Sequence, residues 1–580
     1  MSFKFIEKSS DVIIKPTTTD YKINLFTQFF IPDKEERLYE LQNVLKKNVS
    51  NEFIDKIYLL NERIYTDIEL DISSNKISQI SINKRLQFSF FFNYTKQNNI
   101  IGFNILANAD IFFDNSIANL NKSDIDTNKK LFALLRYEYM NQENLADCYL
   151  YGSTEYYIKN VRDKSKSALP KIEGNPTSND TWILHSNNKL TDKEIKLFNF
   201  ELGRQGCDNK IIYLFKLLGY DIYNDVSFIK SYHYHKGFSK NRNYSITESE
   251  LPPWGILFPS CVNLQKVQLK ILDVDLTKTL FDNNYLSFHH FTNDNIKLKN
   301  YITEKFDNNL NFIIPRIAGI ENVFAYLGIG LFRKDIKWDY LKYRQGLQIM
   351  KKNAGIKLTN DESIIKYSKC YCSAFEVADL YASWELYGDV RKAIHKSHDF
   401  IRLISTKNEI WGYVYDIFHY INNPWTHALR GKRILIISPF IESIREKLDI
   451  REKIYGVDLF PDCKFILLKP PQTHGDEDCE EFNIEFNKFC SEIMKIKDDF
   501  DVALCSCGGY GNPICAFIYN IEKSAIYIGG VLQMYFGIYG KRWLKERKDV
   551  MKLYLNEHWS RPKSTEKPKS AKEIEEGCYW

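Results

Sequence analysis

The stretch Ile105-Leu-Ala-Asn108-Ala-Asp110-Ile-Phe-Phe-Asp114 decides the fold of the first half of the chain. Its apolar residues predict a buried strand, and amide and carboxylate side chains follow within a few positions. Open α/β sheets bind their ligands at the carboxyl ends of the strands. The stretch therefore predicts a sheet whose edge presents oxygen atoms to a ligand.

Strands and helices alternate on the amino-terminal side of this stretch. We predict strands at residues 24–31, 54–60 and 100–106, with helices at 32–47 and 86–96 between them. A βαβαβ order implies a mostly parallel sheet with helices on its faces. The expected fold class is α/β.

The second half of the chain changes from helices to alternating strands and helices. Residues 310–421 open with a short apolar strand and continue as helices, whereas 433–439, 463–468, 501–505 and 525–528 are apolar runs typical of strands. This pattern predicts a domain with a helical half and a small Rossmann-like half. We expect a first domain at residues 20–240, a connector at 241–305 where the periodicity weakens, and a second domain at 306–580.

Composition excludes several classes of protein. With 79 Lys and Arg against 74 Asp and Glu, the net charge of +5 gives no broad positive field of the kind that nucleic-acid-binding proteins use. The first residues do not form a signal peptide, and no stretch has the apolar length of a membrane span. The twelve cysteines lack the spacing of a disulfide framework or a zinc site. We expect a cytoplasmic protein without a nucleic-acid partner or a membrane span.

Asp110 is the candidate metal ligand of the first domain. A carboxylate at a strand end can hold Mn²⁺ or Mg²⁺, and such a cation neutralises the charge that develops on a diphosphate when it leaves a nucleotide-sugar. The alternative interpretation is a strand-end turn capped by an aspartate, and the stretch alone does not separate the two.

Three further residues of the first domain are candidates for the same chemistry. Asp208 follows a glycine-bounded loop and precedes an apolar helix, so it is placed either as a general base for an acceptor hydroxyl or as a helix N-cap. His233 and His235 alternate at the period of a strand and therefore share one face. Either imidazole can contact the metal or the diphosphate, and the alternative for each is a structural histidine.

The second domain carries two signals of anion binding. Arg316 and Glu321 flank a glycine after the opening strand, where they form either a diphosphate grip with a catalytic carboxylate or a buried ion pair. Gly508 and Gly511 lie between a strand and a helix, an arrangement that offers backbone N–H groups to a phosphate. A second glycine-bracketed turn contains Gly530 and Gln533 and is followed by Lys541 and Arg542. Together the two turns predict a crevice for a nucleoside diphosphate.

Six ordered motifs between residues 21 and 235 resemble a GT-A-type glycosyltransferase family found in bacterial and large-DNA-virus polysaccharide loci. They are Thr27-Gln28-Phe-Phe, Asn108-Ala-Asp-Ile-Phe-Phe-Asp114, Ala133-Leu-Leu-Arg-Tyr-Glu138, Asp180-Thr-Trp182, Gly206-Cys-Asp-Asn209 and Tyr232-His233. The resemblance implies a GT-A-like fold, a nucleotide-sugar donor and a divalent metal.

The resemblance also implies roles for individual residues. In such enzymes a strand-end Asp-x-Asp motif binds metal and ribose. Here its first position is Asn108, so the metal is expected on Asp110 with help from a histidine. The nucleotide-binding residues implied are Gln28, Arg85, Asn108, Arg136, Asp180 and Trp182.

Residues 312–580 resemble an uncharacterised polysaccharide-locus domain that is distantly similar to GT-D glycosyltransferases. The resemblance rests on the segments around Arg316, Gly508 and Gly530 and on Asn422-Asn-Pro-Trp425, Lys469-Pro-Pro-Gln472 and Gly577-Cys-Tyr-Trp580. In the GT-D pattern an arginine precedes an Asp-x-Glu motif. This chain has Arg316 and Glu321 but Gly319 at the position of the aspartate.

We therefore predict two tandem glycosyltransferase domains that move sugars from nucleotide-sugar donors onto a growing oligosaccharide or surface glycan. Three alternatives remain open from the sequence. The second domain can be a non-catalytic glycan- or nucleotide-binding module, the chain can be a nucleotidyltransferase, or it can be a structural virion or scaffold protein. A glycan acceptor is the second expected partner, and a homo-oligomer is possible.

Overall fold

A computed structural model of the chain divides it into two compact units, Met1–His290 (unit 1) and Phe291–Trp580 (unit 2). Within the segment expected to be a connector, 254–258 is a strand of unit 1 and the helix that begins at Phe291 belongs to unit 2. The residues described are 4–16, 19–139, 144–151, 178–204, 206–235, 254–261, 270–271, 274–275, 291–317, 319–334, 336, 340–383, 401, 404–405, 408–471, 479–567 and 579.

Unit 1 is built on a seven-stranded sheet of order β11-β7-β10-β5-β2-β3-β4. Six strands run in one direction, and β10 is antiparallel to both of its neighbours. This confirms the α/β class and the mostly parallel sheet. The strands of unit 1 are β1 (Lys4–Lys8), β2 (Ile23–Thr27), β3 (Lys56–Asn61), β4 (Ile77–Ser81), β5 (Phe103–Ala107), β6 (Ile111–Phe113), β7 (Lys130–Leu135), β8 (Tyr137–Tyr139), β9 (Tyr149–Leu150), β10 (Asn179–His185), β11 (Asp221–Tyr223), β12 (Ser231–Tyr234), β13 (Trp254–Phe258), β14 (Lys270–Ile271) and β15 (Val274–Asp275).

Amphipathic helices cover the sheet of unit 1. The first helix has Glu35 and Glu36 in its first turn, where carboxylates favour the helix dipole, and it buries Leu41, Val44 and Leu45. Strands β2 and β5 are buried at every position, as expected for central strands covered on both faces. The helices of unit 1 are α1 (Glu35–Ser50), α2 (Asp67–Leu70), α3 (Phe88–Gln97), α4 (Asp192–Ile195) and α5 (Cys207–Leu217).

Unit 1 also contains a second sheet of four strands, in the order β6-β12-β8-β9. Strand β12 pairs antiparallel with β6 and parallel with β8. In this register His233 lies opposite Ile111 on one side and Glu138 on the other. The small sheet thereby brings residues from three distant parts of the sequence to one place.

Unit 2 contains a five-stranded parallel sheet of order β16-β22-β21-β19-β20. The strands predicted at 433–439, 463–468, 501–505 and 525–528 are β19 to β22, so the Rossmann-like half is present where the sequence predicts it. The strands of unit 2 are β16 (Ile313–Ile314), β17 (Tyr381–Ser383), β18 (Glu409–Trp411), β19 (Arg433–Ile437), β20 (Lys464–Leu468), β21 (Val502–Cys505) and β22 (Ser524–Tyr527).

Helices precede and flank this sheet. The helices of unit 2 are α6 (Phe291–Asp307), α7 (Gly319–Ile329), α8 (Tyr340–Ile349), α9 (Asp361–Glu376), α10 (Ile441–Arg445), α11 (Glu452–Tyr455), α12 (Phe482–Lys495), α13 (Gly511–Asn520), α14 (Leu532–Tyr535), α15 (Lys541–Glu546) and α16 (Lys548–Tyr554). None of the helices in the described ranges has the length and apolar character needed to cross a bilayer.

Candidate functional site

Polar side chains gather at the carboxyl edge of the unit 1 sheet. Asn108 and Asp110 follow β5, and Arg136 follows β7. Since β10 runs in the opposite direction, Asp180 at its start meets the ends of these two strands. Asn108 Nδ2 donates to Asp180 Oδ1 at 2.5 Å, and the Asn108 backbone N–H donates to the Asp180 carbonyl at 3.1 Å.

Six of the side chains at this edge form a continuous line of alternating charge, which we call the charge row. Its first half is centred on Asp110 Oδ2, which accepts a hydrogen bond from Arg37 Nη2 and lies 3.2 Å from His233 Nε2. The members in order are Arg37, Asp110, His233, Glu138, Arg136 and Asp180.

The second half of the charge row is centred on Glu138. Its Oε2 lies 2.9 Å from His233 Nδ1, and its Oε1 accepts from Arg136 Nε at 2.9 Å. Arg136 Nη1 in turn donates to Asp180 Oδ2. The six side chains are between 8% and 20% exposed, so the charges are held in a largely dehydrated environment where their interactions are strong.

The pKa values of the side chains in the charge row are shifted by the oppositely charged groups beside them. Burial alone would raise the pKa of Asp110, but the charges of His233 and Arg37 outweigh burial and hold that pKa well below its usual value. Burial opposes protonation of His233, yet Asp110 and Glu138 raise its pKa to about 9. The pKa of Glu138 is lowered to about 2 by His233 and Arg136 against the effect of burial. At neutral pH both carboxylates are therefore ionised and both ring nitrogens of His233 carry a proton.

Asp208 has the opposite tendency. It is the second residue of α5, and Gly206 occupies the N-cap position, so the capping role considered for Asp208 does not apply. Burial, with the neighbouring charge of Asp180, raises the pKa of Asp208 to about 7. A carboxyl group close to Asp180 thus titrates near neutral pH, the range that a general base needs.

Asp110 and His233, two of the three residues predicted to bind a metal, do not fit one in this arrangement, whereas Nε2 of His235 is buried and has no hydrogen-bond partner within the described ranges. A metal ligand must offer a lone pair, and a histidine ligand must be neutral. Both nitrogens of His233 face carboxylates, and Arg37 occupies Asp110 Oδ2. His235 Nδ1 lies 3.0 Å from Arg37 Nη1, which can only donate. Across the described ranges, no three His, Cys, Asp or Glu side chains are grouped to hold a metal ion.

The predicted nucleotide-binding residues of unit 1 differ in accessibility. Gln28 Nε2 donates to Glu62 at 3.2 Å, and its Oε1 accepts from the Leu86 backbone N–H at 3.0 Å. Arg85 is exposed and donates to the carbonyl of Gly203 at 3.1 Å. Trp182 is fully buried, with its ring packed edge-on against Phe88. The roles of these residues in nucleotide binding remain predictions.

The carboxyl edge of the unit 2 sheet is organised around Arg316. Its guanidinium carbon lies 4.4 Å from the centre of the Tyr527 ring, and Nη1 donates to the Ile528 carbonyl at 2.9 Å. Tyr527 Oη donates to the Gly508 carbonyl at 2.7 Å. The loops after β16, β21 and β22 therefore meet, as the two glycine turns predict.

Close packing explains the glycines in these loops. A Cβ at Gly511 would lie 2.3 Å from the Tyr527 ring, and one at Gly530 would lie 2.4 Å from the Tyr579 ring. Gln533 is buried and donates to the Ile538 carbonyl at 3.1 Å, so it holds its own turn together. Glu321 lies in the first turn of α7. The nucleotide-binding and catalytic roles assigned to these residues stay predictions.

The sequence did not single out Arg37, Glu40 or Glu138. Arg37 and Glu40 lie one turn apart on α1, and Arg37 Nη1 donates to Glu40 Oε2 at 2.7 Å. A buried carboxylate on an otherwise amphipathic helix is an unusual position, because Glu is rarely buried without a partner. Glu138 belongs to a motif quoted above, but its place beside His233 depends on the pairing of β8 with β12.

No known protein family matches the chain, and no curated protein does. Among solved structures it is similar to the mannosyltransferase PcManGT from Pyrobaculum calidifontis in complex with GDP-Man and Mn²⁺, with 10% identity, a TM-score of 0.25 and coverage of 41% of this chain and 62% of that chain. It is also similar to a domain of unknown function 1792, with 12% identity, a TM-score of 0.27 and coverage of 47% and 96%. The chain thus spans less than two thirds of the mannosyltransferase. At these TM-scores neither likeness indicates a function.

Proposed function

We propose that unit 1 is a glycosyltransferase that moves a sugar from a nucleotide-sugar onto an acceptor hydroxyl. The observation that carries the proposal is Asp208, whose pKa is raised to about 7 at the same sheet edge as the charge row. A base that titrates near neutral pH can accept a hydroxyl proton and release it in each turnover. The largely buried and paired charges beside it supply a fixed electrostatic environment for the charge that develops in transfer.

In the proposed reaction, Asp208 takes the proton of the acceptor hydroxyl while the hydroxyl oxygen forms a bond to the anomeric carbon. The bond from that carbon to the diphosphate breaks, and the nucleoside diphosphate leaves with the electron pair. A single displacement of this kind inverts the anomeric configuration. No step is assigned to a metal ion, because Asp110 Oδ2 and both ring nitrogens of His233 are engaged with protein groups.

Unit 2 is proposed as a second nucleotide-sugar site, with the product of both units an oligosaccharide or surface glycan. Its support is the convergence of Arg316 with the loops at Gly508 and Ile528, where a guanidinium group suits a diphosphate. A non-catalytic glycan- or nucleotide-binding module is the second candidate for unit 2. A cytoplasmic location and a homo-oligomeric state stay predictions from the sequence.

The test incubates the full chain with a panel of nucleotide-sugars and free sugar acceptors and identifies products by mass spectrometry. The expected products are a glycosylated acceptor and a nucleoside diphosphate. Release of pyrophosphate from a nucleoside triphosphate would instead establish a nucleotidyltransferase. Absence of both turnover and nucleotide binding across the panel would contradict the proposal.

A further inference from the structure

Arg37 holds the position at Asp110 that the sequence assigns to a divalent cation. We propose that Arg37 replaces that cation, so that unit 1 binds the nucleoside diphosphate without a divalent metal. The proposal rests on the transferase function above and concerns how the same site handles the diphosphate. It starts from one contact, the hydrogen bond from Arg37 Nη2 to Asp110 Oδ2.

Asp110 Oδ2 already has two neighbours, a guanidinium group and an imidazole nitrogen. Arg37 donates to this oxygen from the first turns of α1, and His233 Nε2 lies 3.2 Å from it on β12. A divalent ion bound to that oxygen would have to displace the guanidinium group of Arg37 or lie directly beside it. Like charges at such separations in a buried site repel strongly. The contacts therefore disfavour a metal at Asp110.

Arginine side chains already neutralise carboxylates of this group without a metal. Arg37, His233 and Arg136 face Asp110, Glu138 and Asp180 in alternation, and Glu40 adds one further carboxylate beside Arg37. Sites that bind divalent cations through carboxylates hold an excess of negative charge. The guanidinium groups of Arg37 and Arg136, which stay protonated in proteins, leave less negative charge here than the four carboxylates alone would offer.

Arg37 retains a donor for a ligand. A guanidinium has five N–H groups in a planar fork. The contacts to Asp110, Glu40, His235 and the Tyr234 carbonyl involve Nη1 and Nη2, and within the described part of the chain Nε has no partner. The side chain is 20% exposed, so it is not fully enclosed by the protein. A guanidinium fixed by carboxylates and partly open is suited to phosphate oxygens.

The first experiment titrates Mn²⁺ into the full chain and follows free Mn²⁺ by electron paramagnetic resonance. We expect no stoichiometric binding by the wild type. Arg37→Gln should bind Mn²⁺ at least tenfold more tightly, since it exposes Asp110, and adding Asp110→Asn should remove that gain. The control is Arg63→Gln, which breaks the exposed ion pair of Arg63 with Glu69 and should leave Mn²⁺ binding unchanged.

Two outcomes of this titration overturn the proposal. One is stoichiometric Mn²⁺ binding by the wild type that Asp110→Asn abolishes, a result that requires no Arg37 variant to fold. The other is equally weak binding by the wild type and a folded Arg37→Gln, since Arg37 would then not be what keeps the ion out.

The second experiment measures binding of UDP, GDP, ADP and dTDP by calorimetry in EDTA and in Mn²⁺. We expect one nucleotide to bind with the same affinity in both, and Arg37→Gln to weaken binding in EDTA at least tenfold. Binding that requires Mn²⁺ overturns the proposal. If none of the four binds in either buffer, the transferase function and the nucleotide half of this inference both fail, and the Mn²⁺ titration still decides whether Arg37 excludes the metal.

Discussion

The carboxyl edge of the unit 1 sheet is lined with charged side chains, whereas the same edge of unit 2 is lined with glycines, aromatic rings and thiols. In unit 1, six charges lie in contact, and the paired residues are up to 123 positions apart in the sequence. In unit 2, Gly508, Gly511 and Gly529 shape the edge through their backbone, and Arg316 is held on the Tyr527 ring.

This difference separates two kinds of chemistry. Asp208 of unit 1 titrates near neutral pH, so that edge can move a proton. In unit 2, the hydrogen bond to Cys505 and burial raise the pKa of the Cys507 thiol well above its ordinary value, and burial raises the pKa of Tyr527 as well. These groups keep their protons at neutral pH. The two edges therefore differ in whether they carry a group that exchanges a proton near neutral pH.

The largest expected effect tests the reactive edge. Asp208→Asn keeps the size of the side chain but removes the base, so kcat should fall about 10² to 10⁴-fold, the usual contribution of a general base. Initial rates with the donor identified by the panel measure it. Asp192→Asn is the matched control, because Asp192 also lies in the first turn of a unit 1 helix but is exposed and paired with Lys96. Equal losses in the two variants would contradict the role of Asp208.

The contrast between the edges also explains what the sequence predicts. Strand β5 with the acidic residue after it is one short segment of the sequence, and each glycine turn of unit 2 is another. A local pattern is therefore sufficient to place each of them. Asp110 and His233 are both predicted for one site and do lie 3.2 Å apart. The roles of Arg37 and Glu138 depend instead on how α1 and β8 pack, and periodicity carries no information about contacts between distant residues.

The antiparallel orientation of β10 is likewise not predicted by the sequence pattern. Asp180 reaches the binding edge only because its strand runs against both neighbours, and a βαβαβ pattern predicts parallel neighbours. The metal expected from the sequence illustrates the same limit. A carboxylate and two histidines are a plausible set of metal ligands when only the sequence is considered. The guanidinium group that donates to this carboxylate belongs to Arg37, which lies 73 positions from Asp110 in the sequence.

The second prediction concerns stability of the two edges. Arg136→Met leaves Glu138 and Asp180 buried without their shared cation, which should lower the free energy of unfolding by about 3 to 5 kcal/mol. Chemical denaturation measures the loss. The control in unit 2 is Arg433→Met, which breaks a partly exposed pair with Asp501 and should cost about 1 kcal/mol or less. If Arg136→Met lowered the free energy of unfolding by less than Arg433→Met does, the expected contribution of Arg136 to folding would be contradicted.

The third prediction tests the backbone-built edge of unit 2. Gly511→Ala places a methyl group within 2.3 Å of the Tyr527 ring, which is fixed by its bond to the Gly508 carbonyl, so overpacking should cost about 1 to 3 kcal/mol. Hydrogen exchange should accelerate over β21 and α13. Gly319→Ala is the control, because Gly319 also begins a helix and has nothing within 4 Å of its added Cβ. An equal effect at both glycines would argue against close packing at the unit 2 edge.

The fourth prediction concerns the pH dependence of unit 1. With the pKa of Asp208 raised to about 7, the base is mostly protonated below that pH, so kcat/KM at pH 6 should be about tenfold below its plateau. The raised pKa also means that the stability contributed by the protonated carboxyl is present below the unfolded pKa and lost as pH rises through about 7. Asp208→Asn should therefore melt at a higher temperature than the wild type at pH 8, while the two converge near pH 4. This melting comparison does not depend on turnover. A difference in melting temperature that does not change with pH would therefore contradict the raised pKa of Asp208, even if the variant were inactive.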